Sequence, residues 1–236
     1  MMIERGDVTV LHEPLLALTE EGQAVLPGLG VDGAASSEAS SLLAPGGQST
    51  VARSERELLS HLAELSRTRP VFMKEVLDYR YGYLLDHPEE ISWITHTFLV
   101  RHPRLAISSH YAVKPTVTCP EIGYERLHEL FQLTWSVTGR KPLVIRAEQL
   151  VREPARLIEA YCAAVGLPFL PHALTWRPQD RQEWQRHRSW HLDAIASTGF
   201  SGREKTYPAT VDNNAALRSF YDHHYPFYQR IVQHAI

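Results

Sequence analysis

Four short runs of apolar and β-branched residues constrain this chain more than any other feature: DVTVLHEP (7–14), PVFMKEV (70–76), HTFLVR (96–101) and KPLVIRA (141–147). Each is strand-length and bounded by proline or charge. The segments between them carry apolar residues at helical spacing instead. Ser54-Glu-Arg-Glu57 has the pattern of a capping box and precedes Leu58, Leu59, Leu62 and Leu65, which predicts a helix to about Arg67. Pro88-Glu-Glu opens a short helix through Trp93, and Pro103 opens another. Glu121 to Thr138 keeps Ile122, Leu127, Leu130, Phe131 and Leu133 on a helical period until Gly139; EPARLIEAYCAAVG also closes on glycine, and a last helix starts near Asp212. Strands alternating with helices predict an α/β fold, a parallel sheet flanked by helices and joined by right-handed crossovers.

At 236 residues the chain suits one domain, 1–236, better than two. From Gly22 to Thr50 it is rich in Gly, Ala and Ser with few large apolar residues, so a flexible loop is expected at about 22–50. Gly28-Leu-Gly-Val-Asp-Gly33 satisfies G-x-G-x-x-G, but a dinucleotide fingerprint needs a strand before it and a helix after it. QAVLP reads as a poor strand and AASSEASS as a poor helix start, so these glycines are read as loop. Gly46-Gly-Gln-Ser-Thr50 lacks the lysine of a phosphate-binding Walker loop.

A net charge of -3 gives no concentrated basic field, so neither nucleic acid nor an anionic membrane is expected as partner. No window approaches the length of a membrane span, and the first residues lack a secretory layout, so the expected location is the cytoplasm. Cys119 and Cys162 make no disulfide framework.

In a parallel α/β sheet, ligands bind beyond the carboxyl ends of the strands. Arg101 is predicted at such an end. Its guanidinium can take two phosphate oxygens, the helix opened by Pro103 adds free N–H groups, and Ser109, eight residues on, can add a hydroxyl. The competing assignment pairs Arg101 with a carboxylate and packs Ser109 as a small helix residue.

FLVRHPRLAISSHY resembles the 3'-phosphate-binding segment of the sulfotransferases that use 3'-phosphoadenosine 5'-phosphosulfate. VTVLHEP, VFMKEVLDYRY, EIGYERLHELF, YCAAVGLPFLPHALTW and HHYPFYQRI follow the pattern of the bacterial sulfotransferases in order along the chain. The resemblance implies an N-terminally shortened, P-loop-NTPase-like sulfotransferase fold, the phosphosulfate nucleotide as donor, and a 3'-phosphate held by Arg101 and Ser109. It also implies a PRSGST-like 5'-phosphosulfate loop just before MMIERGDVTVLHEP. The expectation is that the coding start lies upstream of Met1; the alternative is a shortened relative, inactive or repurposed to bind a phosphorylated ligand or a protein.

Sulfuryl transfer needs a general base for the attacking hydroxyl or amine and a cation for the leaving oxygen. Glu13 is the candidate base, and His12 its rival, since neighbouring strand residues face opposite ways and only one can enter the site. Lys74 stands where the resemblance places a lysine near the transferred group. The Lys-x-His of the cytosolic branch is here Lys74-Glu75-Val76, so the usual histidine base is absent and Glu75 is a further candidate. Arg188, Trp190, His191 and the loop Ser197 to Arg203 fall where the resemblance implies cover for the adenosine phosphate. His187 and His191 share a helix face, and His223-His224 is a lone pair, but neither shows a third ligand, so no metal is expected. The expected function is transfer of a sulfuryl group to a small-molecule acceptor.

Overall fold

The computed structural model describes residues 1–29, 49–202 and 205–236. Its regular elements, in chain order, are β1 (Thr9–His12), α1 (Pro14–Glu21), β2 (Ala24–Pro27), β3 (Ser49–Ala52), α2 (Glu55–Leu65), β4 (Val71–Lys74), α3 (Gly82–Asp86), β5 (Thr97–Val100), α4 (Pro103–Val113), α5 (Tyr124–Thr138), β6 (Leu143–Arg146), α6 (Ala147–Arg152), α7 (Pro154–Val165), α8 (Arg188–Ala196) and α9 (Ala215–Val232). They fall into two units. The first comprises Met1–Val76, Tyr81–Leu84 and Leu170–Gly199; the second comprises Leu77–Arg80, Leu85–Phe169 and Phe200–Ile236. Each has a parallel strand pair flanked by helices, the α/β architecture that the alternating runs predict. No described helix is long and apolar enough to cross a membrane.

In the first unit β1 and β4 run parallel, with His12 opposite Lys74 at their carboxyl ends. The predicted cap of α2 is present: Ser54 Oγ accepts from the Glu57 N–H at 3.2 Å, and the Glu57 carboxylate accepts from the Arg53 N–H at 2.7 Å. Leu58, Leu59, Leu62 and Leu65 are buried on one face. Two elements depart from the sequence reading. Ala24–Pro27, read as a poor strand, pairs antiparallel with Ser49–Ala52. The strand forms because Ala24 and Leu26 bury on one side, leaving Val25 exposed on the other. Ala24–Pro27 and Ser49–Thr50 thus lie inside the segment 22–50 read as a flexible loop; residues 30–48, including most of Gly28–Gly33 and Gly46–Gln48, lie outside the described residues. The second departure is α1, whose Leu15, Leu16 and Ala17 are buried although no helix is predicted there.

In the second unit β5 and β6 pair parallel from Thr97 opposite Leu143 to Val100 opposite Arg146. Phe98, Val100 and Val144 from this pair pack with Tyr124 and Phe131 of α5 and Tyr228 and Ile231 of α9. Ile107 of α4 packs with Val211 and Leu217. The single helix predicted from Glu121 to Thr138 is instead a 3-10 turn, Cys119–Ile122, and then α5, separated by Gly123. Gly123 has φ 83°, a conformation that glycine adopts without steric cost. A Cβ there would also sit 3.1 Å from the Leu77 carbonyl oxygen.

Gly123→Ala therefore combines backbone strain with a backbone collision and should cost about 1–3 kcal/mol. Gly139→Ala, at φ 65° with nothing within 4 Å of an added Cβ, should cost less. Urea unfolding midpoints of the two variants check the order.

Candidate functional site

In the first unit the chain leaves β1 through Glu13, the one described non-glycine residue with positive φ (φ 52°, ψ 47°). Its N–H donates to the Lys74 carbonyl at 2.8 Å, continuing the ladder by one bond, and Pro14 then starts α1. The left-handed turn breaks the strand alternation. Consequently His12 and Glu13, expected to face opposite ways, converge: His12 Nδ1 lies 3.7 Å from Glu13 Oε2. The other oxygen, Oε1, is ion-paired and hydrogen-bonded to Lys74 Nζ. The carboxylate is nearly buried, with 8% of its side chain exposed, whereas Lys74 keeps 39%. The structure thus brings together Glu13, His12 and Lys74 at the carboxyl ends of two parallel strands, where α/β proteins bind ligands.

A further residue completes the cluster. His191 of α8 sets its ring against His12, centroids 5.1 Å apart and edge-on, and stacks on Trp184 at 5.3 Å and 17°. His187 Nε2 lies 2.9 Å from Glu20 Oε2 and Arg186 Nε lies 2.7 Å from Glu21 Oε1, two pairs that hold the α8 segment to the end of α1. The sequence reading assigned His191 to nucleotide cover, and its neighbours in this unit include the candidate base and its rival. Arg188 pairs with Asp180 at 2.7 Å, and Arg203 lies outside the described residues.

The electrostatics separate the candidate bases. Burial alone would raise the Glu13 carboxyl, but the Lys74 ammonium, its hydrogen bond, His12 and His191 outweigh that and hold it below the usual carboxylate range. Glu13 is therefore ionised at neutral pH. Burial pushes His12 down to about 4 against the pull of Glu13, and Lys74, His191 and His187 lower it further, so its imidazole is neutral. Burial, with the Glu13 charge adding, pushes Glu75 up to about 8 in spite of its backbone hydrogen bonds. Glu75 Oε1 accepts from the Leu15 N–H at 2.6 Å, and Oε2 is buried without a hydrogen-bond partner. Glu75 thus closes the first turn of α1.

In the second unit Arg101 follows β5 and leads into α4. Its carbonyl accepts from the Tyr124 hydroxyl at 2.5 Å, while its exposed guanidinium has no hydrogen bond or ion pair among the described residues. The carboxylate partner of the competing assignment is therefore not found. Pro103 occupies the first turn of α4, and His102 Nδ1 accepts from the Arg104 N–H at 3.3 Å. Ser109 lies on the same helix, half-buried, with its hydroxyl unengaged among the described residues; Ser108 instead donates to the Arg104 carbonyl. His102, Arg146, Tyr225 and Tyr228 line a shallow, open depression on this unit.

Residues 60–235 match the sulfotransferase domain family, three quarters of the chain. The chain belongs to that family. Among curated proteins, this sulfotransferase-domain chain is 27% identical over 209 residues to branched-chain-amino-acid aminotransferase-like protein 2 of Arabidopsis thaliana, covering 88% of this chain and 34% of that protein. It is 30% identical over 121 residues to branched-chain-amino-acid aminotransferase-like protein 1 of the same plant, covering 49% and 20%. The chain therefore spans about a third or less of the relatives it matches. No solved structure matches it.

The raised Glu75 carboxyl carries a stability consequence. Its folded-state value near 8 lies above the ordinary 4.5, so its contribution is fully present below about pH 4.5 and is lost as pH rises through 8. Glu75→Gln should flatten the decline in stability across that window, measured as urea midpoints from pH 4.5 to 8.5; an unchanged slope would place the decline elsewhere.

Proposed function

We propose that this sulfotransferase-domain protein moves a sulfuryl group from 3'-phosphoadenosine 5'-phosphosulfate to a hydroxyl or amine of a small molecule. The observation that carries the reading is the ionised, nearly buried Glu13 in contact with the Lys74 ammonium at the strand ends. Family membership supports the reaction type, and the unpaired Arg101 guanidinium supports an anionic ligand.

Glu13 takes the proton of the acceptor hydroxyl as that oxygen forms its bond to sulfur. The bond from sulfur to the bridging phosphate oxygen breaks, its electron pair stays on the phosphate, and adenosine 3',5'-bisphosphate leaves. Lys74 neutralises the charge that develops on that oxygen. As the ammonium turns toward the leaving oxygen, Glu13 loses the interaction that lowers it and becomes a stronger base when the proton must move. His12, neutral and beside Glu13, orients the carboxylate. Arg101 and Ser109 hold the 3'-phosphate, the arginine by paired charge-assisted hydrogen bonds.

Arg101→Ala should weaken adenosine 3',5'-bisphosphate about 10- to 100-fold by calorimetry, the worth of hydrogen bonds to a charged group. An unchanged Kd would remove the assignment. Lys74→Met deletes the main influence holding Glu13 low, so kcat should fall roughly 100-fold or more and the acid limb of the pH–rate profile should move to higher pH. A fall in rate with an unmoved limb would separate Lys74 from Glu13.

A further inference from the structure

A single backbone amide in the second unit is held from both sides. It joins Arg101 to His102, past Val100, the last paired residue of β5, and before Pro103, the first of α4. The Arg101 carbonyl accepts from the Tyr124 hydroxyl of α5 at 2.5 Å, and the His102 N–H donates to Glu148 Oε1 of α6 at 2.7 Å. Both polar atoms of one amide are thus served by side chains from two other helices, 23 and 46 positions away in the chain. At a strand-to-helix turn such atoms lie beyond the regular ladders and need partners from elsewhere.

The two partners are themselves fixed. Tyr124 is buried, packs with Phe98 and Val100 of β5, and sets its ring edge-on to Tyr228 of α9 at 6.1 Å. Glu148 Oε2 is buried without a hydrogen-bond partner among the described residues. A carboxylate makes a shorter and stronger hydrogen bond than a neutral acceptor, and burying it is a cost that mere closure of a turn does not require. His102 is restricted in addition by the proline after it, at φ -59° and ψ 127°, and its ring lies 5.2 Å from that of Tyr228. Turning the amide would break both hydrogen bonds together. The root of Arg101 is therefore rigid, while its guanidinium is exposed and has no hydrogen bond or ion pair among the described residues.

We propose that Tyr124 and Glu148 are positioning residues that aim Arg101 at the 3'-phosphate through the amide at its root; the inference rests on the Arg101 assignment made above. A fork that must meet two phosphate oxygens at once depends on the direction in which the side chain leaves the backbone. An arginine whose root also moved would have more freedom to lose on gripping the anion. Tyr124 and Glu148 act through the backbone, and neither touches the phosphate.

Calorimetry with adenosine 3',5'-bisphosphate and adenosine 5'-phosphate separates aim from general damage, because the two nucleotides differ only in the 3'-phosphate. Tyr124→Phe, which keeps the ring and its packing, should weaken the bisphosphate about tenfold, the worth of one hydrogen bond to a charged group, and leave the monophosphate within about twofold. Glu148→Ala should do the same, whereas Glu148→Gln, which keeps an oxygen to accept from the His102 N–H, should stay within about threefold of the unmodified chain. In a chain already carrying Arg101→Ala, Tyr124→Phe should add no further loss. Equal losses for both nucleotides, or an unchanged Tyr124→Phe where Arg101→Ala weakens the bisphosphate, would overturn the clamp and leave the Arg101 assignment standing. Full bisphosphate affinity in Arg101→Ala, or no binding by the unmodified chain, would overturn both.

Discussion

The contact between Glu13 and Lys74 sets the terms for the rest of the first unit. It joins the carboxyl ends of β1 and β4, which are paired in register to their last residues, and it holds a carboxylate ionised where burial alone would neutralise it. The backbone at Glu13 is left-handed, a conformation that costs about 1–3 kcal/mol in a residue with a side chain. The N–H bond to Lys74, the ion pair, and the start of α1 at Pro14 together offset that cost. The turn also brings the His12 ring beside the carboxylate. Without it, strict alternation would send the two side chains to opposite faces.

Three carboxylates and imidazoles in this cluster are driven to three different states by one mixture of burial and charge. Glu13, facing a cation, stays ionised; Glu75, bonded to a helix N-terminus but buried next to another carboxylate, is protonated through neutral pH; His12, buried near a cation and two further histidines, is neutral. Of the two carboxyl groups, Glu13 is the one held ionised, with Oε1 on the Lys74 ammonium and Oε2 on the side of His12.

Much of this was readable from the amino-acid sequence because it is local. The four apolar runs became β1, β4, β5 and β6, the Ser54 cap holds α2, and Gly139 and Gly166 end their helices as the pattern predicts. The positions of Arg101 just after β5 and of Ser109 on α4 were legible for the same reason. What was missed depends on partners distant in the chain. The helix α1 has no cap signature in its own residues because Glu75, sixty positions away, supplies the acceptor. The strand Ala24–Pro27 is too short and too mixed to declare itself until Ser49–Ala52 pairs with it. His191 at His12, and Cys119 at His224, are meetings across long stretches of chain that no spacing rule encodes.

The central claim is that Glu13 accepts the proton during sulfuryl transfer. The direct measurement is transfer of radiolabelled sulfate from 3'-phosphoadenosine 5'-phosphosulfate to a panel of phenols, alcohols and amines, comparing the unmodified chain with Glu13→Gln. The account predicts transfer by the unmodified chain and a loss of roughly 100-fold or more in the variant, with its affinity for adenosine 3',5'-bisphosphate retained. Equal transfer by both proteins, or none by an unmodified chain that binds the bisphosphate, would contradict it.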